Sequence, residues 1–250
     1  MKTGPAVSAL ALSLLAAAAF AYVMPASSIL RRLVDGREDL HLSALQVSGT
    51  VSFTDEGARE AGAALNLPGD REIQGDLTFS LKLPGRCRAE VTVPEGSSSA
   101  TVMAFGKKRV EGKEIASLGA AVAEVCPSLA LRSTSEGEAR EALERHLRSL
   151  GIDIRRTSLA RFEGQIAYVI GDPPKGAPQF WIYKDSLLPA RVLYADAQGT
   201  KWDVRFRDFG SPVAENWFPR IVEVAKNGEL VLRFTALSAD AHAKLADSLF

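Results

Sequence analysis

Apolar residues recur at every second position over much of residues 166–234. Trp202, Val204 and Phe206 alternate with Lys201, Asp203, Arg205 and Arg207. Leu77, Phe79, Leu81 and Leu83 repeat the pattern earlier, as do Leu45, Val47, Val51 and Phe53. A period of two with one apolar and one polar face predicts antiparallel strands. Strands are expected over residues 47–54, 73–83, 87–93, 100–105, 109–112, 152–160, 165–170, 179–183, 190–195, 201–209, 220–224 and 230–237. Pro84-Gly85, Gly106-Lys107-Lys108 and Lys226-Asn227-Gly228 supply turn chemistry between them. Asn227-Gly228 is the sharpest hairpin signal in the chain.

Helical periodicity is confined to a few stretches. Ile29, Leu30, Leu33, Val34 and Leu40 share one face of a helix that starts near Pro25-Ala26-Ser27-Ser28, with serine available as a cap. Residues 115–131 are apolar nearly all round, which predicts a helix buried on several sides across the concave side of the sheet. Ser135 and Glu138 form a capping box for an amphipathic helix to Ser149, with Ala139, Leu143, Leu147 and Leu150 on its apolar face. Residues 55–70 read as a long hairpin loop or mobile flap, with a short helix as the alternative. A further short helix is expected over residues 239–249.

These elements predict an α+β fold: about eleven strands in a large curved antiparallel sheet, an open half-barrel with helices covering the concave face. The helices are few, so part of the apolar face is expected to line a cavity. Candidate lining residues are Leu77, Phe79, Leu81, Val122, Tyr168 and Trp181. Tyr183, Trp202, Val204, Phe206, Leu232 and Phe234 complete the set. For any one of the aromatic residues the alternative is ordinary core. Tyr168 and Trp217 have a further alternative, at the mouth of such a cavity.

Charge is balanced, with 30 basic and 30 acidic side chains, which argues against a nucleic-acid binder. Met1-Lys2, the apolar run at 7–20 and the small-x-small site Ala19-Phe20-Ala21 read as a secretory signal peptide over residues 1–21, cleaved before Tyr22. The alternative is an uncleaved membrane anchor. Residues 22–250 then form a single exported domain, expected in the periplasm as a monomer. No cysteine stands near the cleavage site to accept a lipid anchor.

Export makes the cysteines informative. Cys87 and Cys126 are the only two, and in an oxidising compartment they are expected to pair. The alternative is two buried free thiols. His41, His146 and His242 show no metal-ligand spacing and no recognisable carboxylate partner in sequence. Ser97-Ser98-Ser99 has no nucleophile-elbow context, and Asp70, Asp76, Glu90 and Glu95 are scattered. Neither catalysis nor a cofactor is expected. Arg31, Arg32, Lys107, Lys108 and Arg109 read as solvated faces, with 107–109 at a hairpin tip the better candidate for touching anionic headgroups.

The run Gln179-Phe180-Trp181-Ile182-Tyr183-Lys184-Asp185 is followed by Leu188-Pro189-Ala190-Arg191, and later by Trp217-Phe218-Pro219-Arg220-Ile221 and a strand at 230–234. With the order of elements, these strings resemble the LolA/LolB-like superfamily of periplasmic lipoprotein carriers and outer-membrane lipoprotein-sorting proteins. The resemblance covers most of residues 27–238. It implies a concave sheet that accepts acyl chains under a helical lid, and transient contact with membrane-bound donor or acceptor proteins. Arg86 and Arg88 are the candidates for the arginine that locks such a lid. A Cys87–Cys126 bridge would tie the central helix to the sheet. The function expected is binding and carriage of lipid or lipoprotein acyl chains. The alternative is an envelope sensor or regulatory module that engages a protein partner with the same half-barrel.

Overall fold

The structure is a computed structural model that describes residues 23–94, 96–174 and 176–250. The expected signal peptide at 1–21, its cleavage point before Tyr22, and Glu95 lie outside the described residues.

Among the described residues twelve strands form one antiparallel sheet, one for each of the expected ranges and in keeping with a count of about eleven. In chain order they are β1 (Ala44–Phe53), β2 (Ile73–Lys82), β3 (Arg86–Thr92), β4 (Ser99–Ala104), β5 (Lys107–Glu111) and β6 (Thr157–Phe162). There follow β7 (Gln165–Gly171), β8 (Gln179–Tyr183), β9 (Pro189–Ala195), β10 (Lys201–Arg207), β11 (Ile221–Lys226) and β12 (Glu229–Asp240). The sheet order is β5-β4-β3-β2-β1-β12-β11-β10-β9-β8-β7-β6. The first and last strands therefore meet at the centre, and two meanders run outward to unpaired edges at β5 and β6. The sheet stays open, the half-barrel that the alternation predicts. Asn227 and Gly228 both take positive φ in the β11–β12 hairpin, the conformation for which that pair is favoured.

Among the described residues four α-helices accompany the sheet: α1 (Ala26–Glu38), α2 (Asp55–Leu65), α3 (Ala116–Leu129) and α4 (Glu138–Ser149). The apolar face of α1 is the expected one, but its start is uncapped: Pro25 precedes it, and both serines lie inside the helix. Within the stretch at 55–70, Asp55–Leu65 is the short helix given as the alternative to a flap. Its glycines and alanines read as loop, yet they let the helix lie against backbone. A Cβ on Gly57 would stand 2.0 Å from the carbonyl oxygen of Val231 in β12. Lys226 fastens α2 by bonds to Glu56 and Glu60. Helix α3 is buried almost all round, as its composition requires. Glu138 of α4 accepts the Thr134 and Ser135 backbone N–H groups at 3.0 and 3.2 Å, but the Ser135 hydroxyl supplies no cap bond. Only half of the expected capping box forms, because Gly137 turns the chain with φ 78°.

The helix expected at 239–249 is replaced by an extension of β12, in which Asp240 pairs with Gln46 of β1, and by a short 3-10 turn at Asp247–Leu249. Backbone partners offered by β1 outweigh the weak local helix preference there. Residues 152–156 likewise stay out of the sheet, and β6 starts at Thr157.

The main core lies between the sheet and α1, α2 and α3. Phe79, Phe218 and Phe234 meet in it with ring centroids 5.2 to 6.2 Å apart. Each such fully buried ring contributes about 2 kcal/mol. The opposite face of β9–β12 carries a charge ladder. Asp203 accepts a two-pronged Arg191 at 2.7 and 2.6 Å and also Arg205, while Glu223 meets Arg207 and Arg233.

Burial pushes the Asp203 carboxyl up, but hydrogen bonds and charge from Arg191 and Arg205 outweigh it and hold the group below its ordinary value. A depressed carboxylate stabilises the fold fully above the unfolded pKa of about 3.9, and the contribution is lost as the pH falls through the folded value. Wild type is therefore expected to melt above Asp203→Asn near neutrality, with the gap narrowing as the pH drops below about 4. Melting curves across the acid range check this; a gap that stays constant would contradict it.

Candidate functional site

The structure brings most of the predicted cavity residues together, but into a filled core. Leu77, Phe79, Leu81, Val122 and Tyr168 belong to one buried cluster, with Trp202, Val204, Phe206, Leu232 and Phe234. Helix α3 and the loop carrying Phe218 occupy the space above them, so this part of the concave face holds side chains rather than an open trough. Trp181 and Tyr183 are not among them. They lie on the other face of the sheet, in a separate cluster with Phe162, Ala167, Leu188 and Ala190. Their neighbours Phe180 and Ile182 face the main core instead. The Tyr183 hydroxyl donates to the Phe206 carbonyl at 3.2 Å, and Arg191 lies over the rings of Phe162 and Trp181. Tyr168 is buried rather than at a mouth, and Trp217 is partly buried against the core.

The open space lies to the side. A groove of about 610 Å³ runs between α3 and α4, closed at one end by the β2–β3 and β4–β5 turns and at the other by β9. Met103, Phe105, Pro127, Leu131, Leu143 and Leu150 give it apolar walls. Phe105 stands at the β4–β5 tip, 70% exposed and with φ 49°, a conformation unusual for a bulky residue. Glu124, His146 and Tyr194 form its polar part. Sequence reasoning found no partner for His146, but its Nε2 donates to Glu124 Oε2 at 2.9 Å. That pair was missed because 22 residues separate its members. A signal was present nonetheless: Glu124 is the one charged residue of α3.

The wall formed by α3 is held in two ways. Cys126 of α3 is bonded to Cys87 of β3, as expected, with Cα atoms 5.7 Å apart. Arg37 of α1 donates to the carbonyl oxygens of Leu129 at 3.1 Å, Asn216 at 2.7 Å and Trp217 at 2.8 Å. Burial lowers its pKa to about 10, so it is still a cation at neutral pH. The two candidates for a helix-locking arginine do other work. Arg86 binds Asp247, and Arg88 binds Glu90 and Glu111. Arg37 was legible as a basic residue in register with Leu33 and Val34 on the apolar face of α1. Helix α4, the other wall, buries only Ala139, Leu143 and Leu147.

Among the described residues no three of His, Cys, Asp or Glu converge to hold a metal ion. None of the described helices is long and apolar enough to cross a membrane.

No protein-family model and no curated protein matches the sequence. Solved structures do. A LolA superfamily protein from Nitrosomonas europaea matches at 12% identity and a TM-score of 0.49, over 91% of this chain and 98% of that one. A DUF1329 family protein from Desulfovibrio piger matches at 12% identity and a TM-score of 0.43, with the same coverage of 91% and 98%. MucB, in its complex with MucA from Pseudomonas aeruginosa, matches at 16% identity and a TM-score of 0.27 over 90% of this chain and 59% of that one. At such distances no ligand or partner is carried over to this chain.

Proposed function

We propose that this protein is a periplasmic carrier that holds an acyl chain of a lipid or lipoprotein in the groove between α3 and α4. In this reading residues 1–21 direct export, and residues 22–250 act as one monomeric domain that meets membrane-bound donor or acceptor proteins transiently. The observation that carries it is the apolar-walled groove of about 610 Å³, a size within the range of ligand sites. No covalent chemistry is needed. Each buried methylene contributes about 0.8 kcal/mol, so about ten would supply about 8 kcal/mol before the cost of association. The relocated site also removes a conflict. The disulfide fixes α3 to the sheet, whereas α4, with its small buried face, is the wall free to yield.

Ala142 lies exposed on α4 and faces the groove. Ala142→Trp is expected to fill the space and weaken binding of a lipidated peptide at least about tenfold, with Tm unchanged within about 2 °C. Titration of the lipidated peptide and its unlipidated twin against both proteins tests this. Equal binding of the twins, or full binding by Ala142→Trp, would sink the carrier reading.

A regulatory module that engages a protein partner is the second reading. It is favoured by the unpaired edge of β6, beside which Leu159 and Ile166 are 39% and 40% exposed. Such an edge can accept a strand from another chain.

A further inference from the structure

The polar part of the groove bears on which amphiphile it takes. Helix α3 carries one charge, Glu124, and its side chain is 1% exposed. One carboxylate oxygen, Oε2, accepts the His146 N–H. The other, Oε1, is buried with no hydrogen-bond partner among the described residues. A buried acceptor left unpaired is unfavourable, and more so when charged; Glu124 is one of the residues that line the groove, so a donor that reaches its unpaired oxygen from there would be stabilised. Tyr194 reaches the same groove from β9. Burial, and then the charge of Glu124, push its phenol above the ordinary range, which keeps the O–H group intact.

We infer that the groove selects an amphiphile whose head carries several N–H donors, a primary ammonium, and seats that head between Glu124, His146 and Tyr194. An ammonium has three donors and no acceptor, enough to pair with both oxygens of Glu124 and with the tyrosine oxygen. An ammonium that takes the place of the His146 N–H keeps Oε2 paired and adds a donor for Oε1. A carboxylate or phosphate head brought there would meet like charge. Basic groups do line the groove, but Arg132 and Arg145 are exposed at the rim. Arg145 is near Glu141, Arg132 donates to the Leu42 carbonyl at 3.5 Å, and Glu138 stands at the same rim. Exposed charges of this kind are screened by water, so the buried carboxylate decides.

The inference rests on the reading that the groove holds an apolar tail, and two pairs of probes separate the two claims. Dodecylamine is compared with dodecyltrimethylammonium, which has the same tail and charge but no N–H. A lysophosphatidylethanolamine is compared in the same way with the lysophosphatidylcholine of equal chain length. The first pair represents a free amine and the second a lipid headgroup. In titration calorimetry of wild type, the N–H member of at least one pair is expected to bind at least about tenfold tighter than its methylated twin. Glu124→Gln should bring that ratio to within about threefold, and Tyr194→Phe, which keeps the ring in place, should reduce it in part. Twins that bind equally to wild type overturn the head selectivity and leave the carrier reading standing. No binding by any of the four overturns both.

Discussion

Replacing Cys87 and Cys126 together with alanine is expected to lower the unfolding free energy by about 4 kcal/mol, the loop-closure entropy of a bridge over a sequence separation of 39. The bridge joins β3 to α3, so it restrains the unfolded chain across the hairpin and helix between them. In the folded protein it fixes the groove wall made by Cys126, Pro127 and Ala130. Both cysteines are buried, so alanine also removes packed sulfur from the core. Urea unfolding of the variant, and of wild type with and without dithiothreitol, measures the effect. Both routes break the same link, and the alanine variant should lose somewhat more than reduced wild type because the packed sulfur goes with it. A loss below about 1 kcal/mol would mean that the fold does not depend on the bridge.

Arg37→Ala is expected to cost about 3–5 kcal/mol, as large an effect as loss of the bridge, because three carbonyls lose a charged donor and the core loses a buried side chain. Among the described residues no carboxylate pairs with the buried guanidinium, and its charge is met by the carbonyl dipoles of Leu129, Asn216 and Trp217. Removing it leaves those three oxygens short of a donor and opens a void beneath α1. Arg37→Lys should cost less than alanine but more than nothing, because one ammonium cannot reproduce the planar fork that reaches α3 and the loop at 216–217 together. Chemical denaturation of both variants tests the order. Equal stability of Arg37→Ala and wild type would show that the three contacts add nothing net. Because Arg37 and the disulfide hold the same helix from different sides, the double change is expected to be non-additive.

The strands and most of the helices were legible in the pattern alone. Period-two alternation in β1, β2 and β10 announces one buried face, since a strand turns successive side chains to opposite sides. The apolar run at 115–131 could only be a buried helix. Asn227-Gly228 set a hairpin through its backbone conformation. Two cysteines had one pairing available. Where local preference was weak the reading stayed open between flap and short helix at residues 55–70 and failed at 239–249, because contacts with β12 and β1 decided those conformations.

Tertiary structure alone decided where the site lies. In β8 the residues Phe180, Trp181, Ile182 and Tyr183 are apolar at both parities, so alternation could not say which pair faced the main core. Periodicity reports that a face is buried, not what buries it, and so an apolar trough and a packed core read alike. Glu124 with His146, and Arg37 with the carbonyl of Leu129, are pairs across long sequence separations whose members each looked unremarkable or misplaced on their own helix. The sequence by itself determined an open antiparallel half-barrel, its central buried helix and its disulfide, because these follow from the spacing of apolar residues along the chain and from a single possible cysteine pair. The groove, its polar end and the arginine that braces it depend on how helices meet, which only the folded chain resolves.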